Sequence, residues 1–347
     1  VTETSTLSLR TRRRLTHSPS RDITMQTRIT QLFGIQYPIM QGGMHYVGKA
    51  ELASAVSEAG GLGILTALTQ RTPADLAAEI DRCRAMTDKP FGVNLTFLPV
   101  VNAPDYPGYV QVILDKGVPV VETAGNNPVE YLPMLKAAGV KVIHKCTAIR
   151  HALKAQAIGC DAVSVDGFEC GGHPGEDDVP GLILLPLAAK ALSIPFIASG
   201  GMADGRSLVA ALALGADGIN MGTRFVATRE APVHDRVKQA IVQAGERDTR
   251  LIMRALRNTE RVLRNPAVDR IVDVELALGD DVRFEHIAEH VAGVYHRVMV
   301  EGEVESGAWS CGMVAGLIDD VPTVRDLIDR IVDEARAIAT ERLKAVF

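Results

Sequence analysis

Two hydrophobic patterns alternate along the chain. Short runs of consecutive apolar, often β-branched residues have the length of strands. Longer stretches follow them in which apolar positions recur every three or four residues, with turn residues at each change. The strand-like runs are YPIMQ (37–41), LGILTA (62–67), FGVNLT (91–96), VPVVETA (118–124), KVIHKC (141–146), DAVSVDG (161–167), IPFIASGG (194–201) and DGINMGTRF (217–225). Between them KAELASAVSEAG, PADLAAEIDRCRAM, EYLPMLKAAG, AIRHALKAQAIG and GRSLVAALALGA read as helices. In the first of these Leu52, Val56 and Ala59 share one face, and Gly60 and Gly61 stop the helix. AAGVK, AIGCD and ALGAD each run from a helix end through a glycine into the next strand. Eight βα units in succession predict an α/β fold, a (β/α)8 TIM barrel. A doubly wound sheet would place G-x-G-x-x-G after the first strand and an acid about 20 residues on. The chain has GGMHYVGKAE there, without that order.

The two ends differ from this repeat. Residues 1–24 are rich in Ser, Thr and Arg and carry no apolar period, so they read as disordered. They also read as an over-extended leader upstream of Met25, since Val1 is what a GTG start codon gives when translated literally. Residues 1–26 are therefore set outside the fold, and 27–227 form the barrel. Beyond it APVHDRVKQAIVQAGE, TRLIMRALRN, EHIAEHVAGVYHRVM and TVRDLIDRIVDEARAIATERL have helical periods, which predicts a C-terminal helical cap over 228–347.

Composition narrows the class. A net charge of −5 over 347 residues gives no basis for a nucleic-acid or anionic-membrane partner. No apolar run reaches the roughly 18 residues of a membrane helix. The five cysteines form no CxxC pair and no metal-ligand spacing, and read as reduced thiols of a cytoplasmic protein.

Barrel enzymes carry their chemistry on the loops after each strand. Here those loops hold Gly42, Gly43, Met44 and His45; Asn94 and Thr96; Glu122, Thr123 and Gly125; His144, Lys145 and Cys146; and GFECGGHPGEDD, SGGMADG and NMGTRF. Glycines after strands seven and eight let backbone approach a ligand, and a helix starting near Asp204 and Gly205 adds free N–H groups. Ser199, Gly200, Gly201, Gly222 and Thr223 therefore form a candidate phosphate site. The other strand ends offer Met44, Asn94, Thr96 and a single lysine, a lining suited to a flat ring with amide edges. Flavin mononucleotide (FMN) satisfies both ends, with Lys145 placed to stabilise negative charge on the ring. A Schiff-base nucleophile is the alternative role for Lys145, and would make the protein a flavin-free aldolase. In GFECGGHPGEDD, Gly171 and Gly172 let backbone lie against the ring, and Pro174 with Gly175 aims His173 inward. An imidazole there can hydrogen-bond a substrate oxygen and pass it a proton. Glu176, Asp177 and Asp178 either orient it or cap the turn and face water. His45 and His144 read as packing residues, and Cys170, with no base beside it, as an inert thiol.

YPIMQGGM, AGGLG, PFGVNL, HKCTA, DGFECGGHPGEDD, ASGGMADGR and ALALGADGINMGTRF, in this order and at barrel spacing, resemble the FMN-dependent nitronate monooxygenase family, formerly 2-nitropropane dioxygenases. The resemblance runs from about Thr27 to the C-terminus and is strongest to the family's bacterial NADH:quinone reductase subgroup. It implies flavin contacts at Gly43, Met44, Thr96, Lys145, Gly171, Gly172, Gly201, Gly222 and Thr223, and a catalytic role for His173. It also implies ping-pong transfer of two electrons from NADH to a quinone, with oxidation of an alkyl nitronate by O2 as the alternative. Nitronate oxidisers of the family follow the histidine with arginine, as in EAGGHRG, whereas this chain has Pro174. A related enoyl reductase, with a basic patch for an acyl carrier, is a further alternative. The long segment LPVVNAPDYPGY (98–109) is expected to act as a lid or nicotinamide platform. Its deletion should raise KM for NADH in steady-state assays; unchanged kinetics would count against a lid.

Overall fold

The computed structural model describes residues 25–97 and 103–346. The segments 1–24 and 98–102 lie outside the described residues, and with them the leader and the first five of the twelve residues of the expected lid. The β-branched runs become parallel strands β1 (Ile39–Gln41), β2 (Gly63–Thr66), β3 (Phe91–Phe97), β4 (Val120–Gly125), β5 (Lys141–Cys146), β6 (Ala162–Asp166), β7 (Phe196–Ser199) and β8 (Ile219–Met221). Both faces of these strands are covered, which is why their sequences run apolar instead of alternating. The hydrogen-bonded order is β1-β8-β7-β6-β5-β4-β3-β2, and a bridge between Met40 and Leu62 closes β2 onto β1. At that seam the Gln41 side chain reinforces the pairing: its Oε1 accepts from Ile64 N at 3.0 Å and its Nε2 donates to Ile64 O at 3.2 Å. The result is a (β/α)8 barrel.

The first helices are α1 (Arg28–Phe33), α2 (Ala50–Glu58), α3 (Pro73–Met86), α4 (Tyr106–Asp115), α5 (Leu132–Ala137), α6 (Ile149–Ile158), α7 (Gly181–Ala191) and α8 (Gly205–Ala213). Leu52, Val56 and Ala59 are all buried, as their shared face requires. Gly139, Gly159 and Gly215, the glycines that end α5, α6 and α8, have φ of 77°, 100° and 97°, a region that favours residues without a Cβ.

The barrel interior is layered. Met40, Ile64, Val120, Ile143, Ala162 and Ile197 form an apolar lower layer that packs on Ile29 and Phe33 of α1. Arg28 pins α1 across the barrel's lower end through a 2.7 Å ion pair with Asp217. Polar side chains occupy the upper layer, toward the carboxyl ends of the strands.

Beyond β8 the structure departs from the sequence expectations. The run DGINMGTRF stops being a strand at Met221, and Thr223–Val226 form a short helix, α9. Arg224 holds this bend by donating to Ala227 O at 2.7 Å and Asp320 O at 2.8 Å. There follow α10 (Asp235–Gln243), β9 (Thr249–Ile252), β10 (Glu260–Leu263), α11 (Pro266–Leu278), α12 (Ala288–Val291), α13 (Val294–Met299) and α14 (Val324–Ala337). The cap is thus not purely helical: TRLIMRALRN supplies β9 and the turn into β10. Met253 and Arg257 there take φ of 60° and 52°, which no helix permits, and Thr249 to Ile252 pair antiparallel with Leu263 to Glu260. The helix α14, expected in the cap, instead packs against α8 and α2 in the outer ring. It buries Leu327, Ile328, Ile331, Val332 and Ala335 there, and so serves as the helix that follows β8. The residues between α9 and α14 are an insertion within the last βα unit.

The described part of the expected lid is anchored. Asp105 caps α4 by accepting from Gly108 N at 3.0 Å, so Tyr106 to Tyr109 are helical. The hydroxyls of Tyr106 and Tyr109 donate to Thr96 O at 2.9 Å and Gln70 O at 2.7 Å. Among the described residues no helix is long and apolar enough to cross a membrane.

If α14 closes the ring, Ile328→Ala should cost about 2–5 kcal/mol, the range for a buried Ile cut to Ala, read as a lowered urea midpoint. A loss well below about 1 kcal/mol would place α14 outside the core.

Candidate functional site

A cavity of about 830 Å³ opens at the carboxyl ends of the strands. Gly43, Met44, Thr96, Lys145, Gly171, Gly172, His173, Ser199, Gly200, Gly201, Gly222 and Thr223 all line it. The geometry therefore gathers every site residue read from the sequence into one space.

The floor is a hydrogen-bonded network inside the barrel. Glu122 of β4, fully buried, accepts from Gly43 N at 2.8 Å, Asn94 Nδ2 at 2.7 Å and Asn220 Nδ2 at 3.4 Å. Asn220 also donates to Ser164 Oγ at 3.2 Å, and Ser164 to Asp166 Oδ1 at 3.1 Å. Thr96 donates to Asn94 Oδ1 at 2.9 Å. Lys145 Nζ lies 3.8 Å from Asp166 Oδ2. Burial alone would lower the Lys145 ammonium, but the charges of Asp166 and Glu122 outweigh it and hold it above the ordinary lysine value. A lysine kept charged in this way is a poor Schiff-base nucleophile, which needs the free amine. The loop after β1 is fixed from both sides: Thr66 Oγ1 accepts from Met44 N at 2.9 Å and donates to Met44 O at 3.0 Å. A Cβ on Gly43 would lie 2.3 Å from Asn94 Cγ, so only glycine fits against the network.

At the opposite side Gly200 and Gly201 take φ of 84° and 74°, and a Cβ on Gly222 would meet only Met44 Sδ, at 3.5 Å. These turns and the uncapped start of α9 leave a cradle of backbone suited to a small anion. The start of α8 does not contribute, contrary to the sequence reading. Its N–H groups are taken by carboxylates, Ser207 N by Asp204 Oδ1 at 2.9 Å and Gly205 N by Glu334 Oε2 at 2.9 Å.

The loop after β6 forms one wall. Glu169 caps α7 by accepting from Gly181 N at 3.1 Å, and Gly172 exchanges two backbone hydrogen bonds with Arg261 of β10, at 3.0 and 2.6 Å. His173 is exposed on the rim of the cavity. Each of the three acids after it holds another element. Glu176 accepts from Thr259 N at 3.0 Å and Thr259 Oγ1 at 2.6 Å, Asp177 pairs with Arg150, and Asp178 pairs with Arg254. Burial and the Asp166 charge raise the Cys170 thiol far above its ordinary value, so it stays protonated. The five cysteines are all buried and free. His144 lines the cavity, its Nδ1 2.8 Å from Thr123 Oγ1, and burial followed by the charge of His151 pushes it down to about 4.

The insertion adds wall residues that sequence reading missed. Glu260, Tyr295 and Ser310 line the cavity and touch one another, although they are spread over three segments whose spacing carries no motif. Glu122 left a clearer trace, as an acid inside the apolar run VPVVETA.

A family model described as nitronate monooxygenase matches residues 26–106 and 98–334. A (3aS,4S,5R,7aS)-5-hydroxy-7a-methyl-1-oxo-octahydro-1H-indene-4-carboxyl-CoA dehydrogenase of Rhodococcus jostii is 36% identical, over 90% of this chain and 96% of its own. The structure of FabK from Thermotoga maritima matches with a TM-score of 0.86 at 40% identity, covering 93% of this chain and 100% of that one. A nitroalkane oxidase from Streptomyces ansochromogenes matches with a TM-score of 0.76 at 28% identity, covering 92% and 100%.

The depressed His144 sets a pH dependence. Below the unfolded value near 6.5 the unfolded chain takes up a proton that the folded site refuses until about 4. Its contribution, full above about pH 6.5, should therefore be lost between about pH 6.5 and 4, a change of ~3 kcal/mol. His144→Gln should flatten the acid limb of the stability curve by a similar amount, measured by urea unfolding at each pH.

Proposed function

Because the chain belongs to the nitronate monooxygenase family, we propose that this oxidoreductase binds FMN and passes two electrons from NADH to a quinone. The observation that carries the reading is the rim around His173. It offers a proton donor, and the histidine is followed by Pro174 where nitronate oxidisers of the family carry an arginine. Arg261, which pairs with Gly172, turns its guanidinium onto Phe168 O at 3.0 Å and onto the Phe168 ring at 4.6 Å. A neutral quinone needs only the proton.

The residues present fit a flavin. The anion cradle of Ser199, Gly200, Gly201, Gly222 and Thr223 suits its phosphate, and Gly43, Met44, Thr96, Gly171 and Gly172 offer a flat wall of backbone and small side chains. When bound, FMN supplies the two-electron carrier. Lys145 would offer a bound flavin a fixed positive charge able to stabilise negative charge on the ring, and the buried acids keep that lysine protonated. His173 holds a proton at the substrate oxygen. The cavity is near the upper end of the usual range for ligand sites, about 300–1,000 Å³, which leaves room for a second planar molecule beside the ring. Such room would let donor and acceptor occupy the cavity in turn, as a ping-pong scheme requires.

A second reading is favoured by a specific feature. Arg150, Lys154 and Arg257 line the outer part of the same cavity, a basic margin suited to the phosphates of a coenzyme A thioester. The Rhodococcus relative is named for a carboxyl-CoA substrate.

Anaerobic stopped-flow absorbance separates these readings. The purified protein should be yellow, bleach with NADH and recolour with benzoquinone. Bleaching by propyl-2-nitronate but not NADH would make it a nitronate monooxygenase, and recolouring by an enoyl-CoA but not a quinone would favour the thioester. A colourless protein that does not take up FMN would overturn the cofactor assignment.

A further inference from the structure

We propose that Glu260, Ser310 and Tyr295 form a recognition site for the carboxamide of NADH, an inference that rests on the NADH reading above. Glu260 is only 6% exposed, yet it forms no ion pair with any cation among the described residues. A buried carboxylate held by hydroxyls alone, with no cation beside it, keeps acceptor capacity that a ligand can share. Its Oε1 accepts from Ser310 Oγ at 2.7 Å and more distantly from Tyr295 Oη at 3.4 Å. Tyr295 Oη in turn lies 2.6 Å from Ser310 Oγ and accepts from Ser310 N at 3.1 Å. The second carboxylate oxygen has no donor among the described residues, and Glu260 lines the cavity.

The cluster stands beside the reactive rim. Backbone bridges join Gly172 to Arg261 and Val262 to Ser310, which set β10 and Ser310 against the glycine loop. A Cβ on Gly172 would come within 3.5 Å of Ser310 Oγ, one residue before His173. Ser310 and Tyr295 lock the carboxylate in one orientation, so its free oxygen is a fixed acceptor. Such an acceptor takes the N–H of a neutral carboxamide and repels a carboxylate at the same position. The site therefore selects the nicotinamide head group and leaves the proton chemistry to His173.

The test uses the flavin-loaded enzyme and two oxidised dinucleotides, NAD and its nicotinic acid counterpart, which carries a carboxylate in place of the amide. Binding is followed by perturbation of the flavin absorbance. The native protein should prefer the amide by at least about tenfold, equivalent to ~1.4 kcal/mol. Glu260→Gln should reduce that preference to about threefold or less with flavin content unchanged. Ser310→Ala, which frees the carboxylate to swing, should weaken the preference by a smaller factor and serves if the first variant fails to fold. Native-like discrimination in both variants would overturn the inference while leaving the NADH reading intact. Loss of flavin from Glu260→Gln would also overturn it, by placing the cluster against the cofactor. A yellow native protein that binds neither dinucleotide would overturn the NADH reading and the inference together.

Discussion

A carboxylate cut off from water lies at the centre of this barrel, and the site is arranged around keeping it satisfied. Glu122 draws on the backbone of the loop after β1 and on side chains of β3 and β8, while the charge of Lys145 on β5 balances it from the side. Losing any one of these would leave a desolvated charge short of a partner, a far larger penalty than the loss of an ordinary surface contact. The network therefore fixes four strands and a ligand-facing loop in a single arrangement. It also explains why Lys145 remains a cation in a place where burial would neutralise an isolated lysine.

The layer below has the opposite chemistry and makes that arrangement possible. Ile29 and Phe33 of α1 press on the apolar floor of the barrel and shield the lower end of its interior from solvent. One end is thus a packed core and the other a set of oriented dipoles. A ligand entering from above meets groups that are already in place, which lowers the reorganisation needed on binding.

Much of this was legible in the sequence because it depends on local signals. Continuous β-branched runs marked the strands, and glycines after the helices marked the returns to the sheet. The strand ends then pointed to the loops that face the cavity. What escaped depends on contacts distant in sequence. RITQLF is too short to show a helical period, so α1 is visible only through the barrel it plugs. TRLIMRALRN has helix-like spacing, but its pairing with β10 and its two left-handed residues override that preference. The start of α8 looked open, yet one of the groups closing it is a glutamate 129 residues away. The amphipathic pattern of α14 announced a helix without naming the surface it would cover. Glu260, Ser310 and Tyr295 make chemical sense only once three segments have met.

The position of α14 has a consequence for how the protein is made. The helix that bridges α8 and α2, and so seals the ring where its first and last strands meet, follows the entire insertion in chain order. While the ribosome is still building the cap, α2 and α8 each present an uncovered apolar flank. Long-range closures of this kind form slowly, and exposed intermediates are open to aggregation. The nascent protein is therefore most vulnerable late in synthesis, during the interval between the emergence of β8 and the arrival of its helix.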